Sequence, residues 1–182
     1  RYLERTTKRG RIMDYLDSEG VHVTILRDRK KEMIGFAAYH ELEANDLFEE
    51  FGDINLANYL RQKSPGRMLV IRTIYIDDSV DIMMNVKILL TEILAEACEK
   101  NLIYSVYHPI EDKASSVVND VLTRLGFLKI KLDGSETMIY EVDMSNPIVV
   151  IENMNTVIKT PFNTNEKVLK VFEETHAQLQ RA

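Results

Sequence analysis

The sequence predicts a one-domain α/β (α+β) fold, and three stretches carry that prediction. From Arg67 to Phe127 the chain reads strand, acidic loop, long amphipathic helix, strand and helix. Before it, two β-rich runs flank the charged turn Arg27–Lys31; after it, two more flank Asp133-Gly134-Ser135. Strand–helix alternation in the middle with hairpins on either side packs helices against a sheet.

The composition narrows the function classes. At 182 residues, 45% hydrophobic and 29% charged, the chain can bury a core of its own. Its 23 basic and 29 acidic side chains leave a net charge of −6, against the basic field of a general nucleic-acid binder. No apolar run approaches the ~20 residues of a membrane span. The single cysteine, Cys98, excludes an internal disulfide and lies on the apolar side of a helix, as a small buried hydrophobe does. A reducing, cytoplasmic setting is expected from it. The four histidines show no ligand spacing, so no metal site is expected; no P-loop, GxSxG elbow or Cys/His pair is present. A start at Arg1 and an end inside a helical pattern at Ala182 are read as a piece of a longer chain.

Taken in order, Tyr2–Asp17 is helical and basic, and Ser18-Glu19-Gly20 ends it. Val21–Leu26 and Met33–Glu43 form the first hairpin, with Gly35 marking a bulge or a close approach of another segment. An insertion, about residues 44–64, carries Leu47, Phe48 and Phe51, then Leu56, Tyr59 and Leu60, at helical spacing. Arg67–Ile76 is apolar over most of its length, like a central strand covered on both faces. Ile82, Met83, Val86, Leu89, Leu90, Ile93, Leu94 and Ala97 keep a helical rhythm up to Asn101. Leu102–Tyr107 is the next strand, broken at His108-Pro109. Lys113–Leu125 is a helix with Gly126 as its stop. Phe127–Lys131 and Glu136–Asp143 form the last hairpin. Beyond residue 145 a C-terminal extension or connector is expected: Ile148–Ile151 as an edge strand, Asn153–Asn165 as loop, then a helix from Val168.

This order of elements, closing its second helix on Leu125-Gly126-Phe127, resembles the GNAT family of acyl-CoA N-acyltransferases over roughly Tyr2–Asp143. The resemblance implies a mixed, mainly antiparallel central sheet flanked by helices in residues 1–145. It also implies a central strand that offers backbone groups to pantetheine, and a glycine-rich loop whose amides hold the pyrophosphate. Carried onto this chain, the cofactor-binding positions are Ile74, Ile76, Met84, Asn85, Val86 and Lys87, and the cofactor acetyl-CoA or another acyl-CoA. Aligning Leu89-Leu90 with the family's leucine pair puts Asp81 where a basic or amide residue belongs, and Met84 and Val86 on glycine positions. With Asp77 and Asp78 the loop is acidic, while Lys87 and Arg72 offset part of that charge.

The catalytic positions depart as well. Leu122 stands where the family often has its general-acid tyrosine, Ser115 replaces a frequent asparagine, and Arg67–Ile76 contains no acid. Glu41 is the candidate general base, with His40 beside it, and Tyr107 the candidate acid, with Tyr75 and Tyr104 as alternatives. The expectation is an acyltransferase-like domain, weak or inactive, or with no cofactor at all. The alternatives are an active N-acetyltransferase with an atypical loop, acting on a small or protein amine, and a non-enzymatic interaction domain. Neighbouring domains of the parent chain, or a homodimer, are the expected partners.

Overall fold

The computed structural model describes residues 11–110, 115–132 and 138–159. A short helix, α1 (residues 11–16), precedes the hairpin of β1 (Val21–Arg27) and β2 (Met33–Leu42). Two helices follow, α2 (Leu47–Phe51) and α3 (Ile54–Lys63), the second capped by Asp53 on the N–H groups of Asn55 and Leu56. They lead to β3 (Met68–Ile76), which pairs antiparallel with β2. The 18-residue α4 (Ile82–Glu99) then crosses over to β4 (Tyr104–Tyr107), which lies parallel to β3. Helix α5 (Ser116–Arg124), β5 (Leu128–Lys131), β6 (Met138–Asp143) and α6 (Pro147–Lys159) complete the described chain. Among the described residues the sheet has six strands in the order β1-β2-β3-β4-β6-β5, with β3/β4 the one parallel pair.

Alternation along β3 builds two cores. Leu69 and Ile71 face α4, α5 and α6 with Leu89, Leu90, Ile93, Leu94 and Leu122. Met68 and Val70 face α2 and α3 with Leu47, Leu56 and Leu60. Covering both faces explains why this strand is apolar nearly throughout. Gly35 on β2 marks a close approach: a Cβ there would come within 2.8 Å of the Tyr75 carbonyl oxygen and 2.6 Å of Ile76 Cδ1. Gly126 holds φ 94° just after α5, which glycine adopts at no steric cost.

Two expectations are corrected. Ile148–Ile151 is the first part of helix α6, not an edge strand, and the helix runs on through residues 153–159 that were expected as loop. Pro147 occupies the first helical position, where its missing N–H costs nothing, and Val150, Met154 and Val157 bury one stripe against the α4 core. The β-branched run was a poor guide because that burial outweighs local propensity. Strand β4 begins at Tyr104, after Leu102 has closed the turn behind α4 by donating its N–H to the Ala97 carbonyl. Residues 2–10, the Asp133-Gly134 turn and the helix expected from Val168 lie outside the described residues.

Candidate functional site

The parallel strands β3 and β4 meet over only three residue pairs, Leu69–Ile71 with Ser105–Tyr107. The N–H groups of His108 and Ile110 still donate to the carbonyls of Ile71 and Arg72, while Pro109 between them has no N–H to give. Among the described residues, Thr73–Ile76 then pair with β2 alone, on one edge of β3. At the apex β3 carries an extra residue: Ala38 faces Thr73 and Tyr39 faces Ile71, leaving Arg72 as a β-bulge. Bulges re-aim side chains, and this one turns a cation toward α2.

Arg72 is the centre of a mostly buried network. Its Nε lies 3.2 Å from Glu50 Oε1, and its Nη1 donates to His108 Nδ1. Glu50 Oε2 is 3.4 Å from His40 Nδ1, while His40 Nε2 is 3.3 Å from the Glu19 carbonyl. Phe51 and Tyr15 place their rings 5.3 and 5.9 Å from the guanidinium carbon. Burial first, then the neighbouring Arg72 charge, push His108 down to about 3. His108 is therefore neutral near pH 7 and accepts from Arg72 through Nδ1. Burial likewise raises the Tyr15 hydroxyl far above the usual phenol range. Neither is poised to exchange a proton near neutral pH. Beside the network lies an open cleft of about 310 Å³, whose lining includes His40, Glu19, Asp46, Glu49 and Glu50.

The loop after β3 is occupied by its own side chains. Asp77 accepts the Ser79 N–H at 2.8 Å, and the Ser79 hydroxyl and amide together hold its carboxyl below the usual range. Asp81 caps α4, accepting the Met84 N–H at 2.9 Å, and its carbonyl takes the Asn85 side-chain amide at 2.8 Å. A pyrophosphate would need such amides, and this loop of carboxylates fits one poorly.

The sequence-predicted cofactor positions divide. Ile74 and Ile76 are half-buried on the open strand, packed against the α4 core. Met84 is exposed and Asn85 half-buried in the first turn of α4, but Val86 and Lys87 are buried. Burial, then Arg124 on α5, lower the Lys87 ammonium from its ordinary value, with Asp81 and Asp120 opposing them.

Glu41 lies opposite Leu69, three residues along β2 from Ala38 and so about 10 Å from the open edge. Its carboxylate is bound by Lys100 at the end of α4 and by Arg67 at 3.3 Å. Tyr107 sits at the apex, paired with Ile71, but its ring is buried under α4 with Tyr140 at 6.0 Å. The structure brings neither of the two candidates to the open edge of β3. Glu50, His108 and Tyr15, which surround Arg72, were not among the candidates named from the sequence. Their one sequence signal was Arg72, a lone charge within MLVIRTIYI, which needs buried partners.

Known structures share this arrangement. FeeM, an N-acyl amino acid synthase from uncultured soil microbes, matches with TM-score 0.55 at 13% identity over 78% of this chain and 87% of its own. GCN5 of Tetrahymena matches with TM-score 0.50 at 10% identity, covering 74% of this chain and 75% of its own. The chain has the GNAT acyl-CoA N-acyltransferase fold. An uncharacterized protein from Bacillus halodurans matches with TM-score 0.56 at 12% identity, over 82% of this chain and 70% of its own. No protein-family model and no curated relative matches the sequence. At these identities the likeness concerns the GNAT fold alone. Among the described residues no helix is long and apolar enough to cross a membrane, and no cluster of three or more potential ligands for a metal is present.

Proposed function

We propose that this chain is a GNAT-fold acyltransferase-like domain with a weakened hold on acyl-CoA, which turns the cofactor over weakly or not at all. The observation that supports it best is the start of α4, where the Asp81 carboxylate takes the Met84 N–H and Asp77 and Asp78 add charge. A phosphate about 5 Å from one such carboxylate meets a repulsion of roughly 3 kcal/mol at an effective dielectric near 20, before salt screening. The open edge of Thr73–Ile76 still suits a pantetheine arm. Leu122, fully buried, offers no hydroxyl for the leaving thiolate. The test is thiol release from acetyl-CoA, with small amines, amino acids and a lysine peptide as acceptors. The expected rate equals or barely exceeds that without protein; fast release that saturates in both substrates overturns the reading.

A second reading, an active N-acyltransferase with an atypical loop, is favoured by the acidic cleft beside the apex. Glu19, Asp46 and Glu49 are exposed carboxylates there, suited to a cationic amine acceptor. In that case acetyl-CoA or another acyl-CoA is the donor, as the GNAT fold implies.

A further inference from the structure

The two outer strands of the sheet differ in how their edges are guarded. At one end β5 is short and carries Lys129 and Lys131, charges of the kind that keep a strand edge from pairing with another chain. At the other end β1 has no lysine or proline along Val21–Arg27, and among the described residues it pairs only with β2. Val23 and Ile25 share one face of β1 and are 42% and 44% exposed. On that face Ile25 lies beside Phe36 and Phe36 beside Tyr75, which is 48% exposed. An apolar strip thus runs inward from the edge across three strands. The two ends of β1 carry opposite charge. Past Arg27 the turn exposes Arg29, Lys30 and Lys31, while the Asp28 carboxylate is taken by the N–H groups of Lys30 and Glu32. Before Val21, Asp17 and Glu19 are exposed carboxylates. Among the described residues, none of these three cations and two carboxylates forms an ion pair within the chain.

We propose that β1 pairs antiparallel with β1 of a second copy of this chain, about a two-fold axis at Thr24. In that register Val23 lies opposite Ile25 of the second copy and Val21 opposite Arg27, so the two apolar strips meet side by side on one sheet surface. The acidic Asp17–Glu19 end of each strand comes alongside the basic Arg29–Lys31 end of the other, and the charges match twice. A parallel pairing would set like ends together, which is why the antiparallel one is chosen. Because the same edge is used on both sides, the pairing closes at two copies. The inference does not depend on the acyl-transfer reading.

Sedimentation velocity over a protein dilution series tests it. The expected result is a monomer–dimer equilibrium that moves toward monomer as salt rises, because the end charges are exposed. Val23→Lys and Ile25→Glu, both at exposed positions, should each weaken the dimer at least tenfold, since each sets a charge against an apolar side chain. Mixing the two variants should restore a dimer, because the two new charges are opposite in sign and face each other only in this register. Thr24→Arg, which places like charges on the axis, should also break the dimer and serves if either of the other two does not fold. Leu128→Lys, next to the opposite edge of the sheet, should leave the dimer unchanged. A monomer at submillimolar protein, growth beyond two copies, full dimer affinity in any folded β1 variant, or no rescue on mixing folded variants would overturn the proposal.

Discussion

Replacing Asp81 by serine should strengthen the chain's hold on coenzyme A. Serine still offers an oxygen to the Met84 N–H, so the cap on α4 survives while its negative charge is removed. The charge is worth roughly 3 kcal/mol against a phosphate about 5 Å away at an effective dielectric near 20. Screening at physiological salt, with a Debye length of about 8 Å, halves that to about 1.5 kcal/mol, roughly a tenfold change in Kd. Adding Asp77→Asn and Asp78→Asn should strengthen the effect further. Titration of coenzyme A into the triple variant at two salt concentrations reads it directly. The gain should shrink as salt rises, and the melting temperature should change little, because all three positions lie in a loop or at a retained cap. Unchanged affinity across the series would show that the loop's charge is not what holds the cofactor off.

Two further perturbations test the frame around the cleft. The depressed pKa of His108, about 3 against about 6.5 when unfolded, makes the folded state favour the neutral ring. Its contribution is present in full above pH 6.5 and is lost as pH falls toward 3. His108→Asn should therefore flatten the pH dependence of urea unfolding between pH 6.5 and 5 by up to about 1.4 kcal/mol per pH unit. An equal slope in both proteins would show that His108 is not held neutral. Gly35→Ala should destabilise the fold by about 1–3 kcal/mol, since the new methyl meets the backbone oxygen of Tyr75 at 2.8 Å. A melting temperature equal to the parent's would contradict that close approach.

Much of the fold was legible because its elements carry strong periodic signals. The apolar rhythm of α4, the all-apolar β3 and the Leu125-Gly126-Phe127 stop are local features that tertiary packing reinforces. Helix α6 was misread where local and tertiary signals conflict: Ile148-Val149-Val150-Ile151 has strand chemistry, and only the distant α4 core makes the helical stripe favourable. The site was less legible for a related reason. Glu41 looked available in the sequence, but its salt bridges to Lys100 and Arg67 are 59 and 26 residues away in the chain. The Arg72 bulge needs the β2 register to be visible, and Glu50 comes from an insertion with no motif to announce it. The acidic loop, by contrast, was fully readable, because charge and the lack of glycine are properties of the residues themselves.

The account rests on a cleft that keeps the strand opening and has lost the anion cradle. Titration of the unaltered chain with acetyl-CoA, followed by calorimetry, bears on it most directly. No heat of binding at millimolar cofactor is the predicted result. A micromolar Kd that is lost when acetyl-CoA is replaced by acetyl-pantetheine, which lacks the nucleotide phosphates, would contradict it.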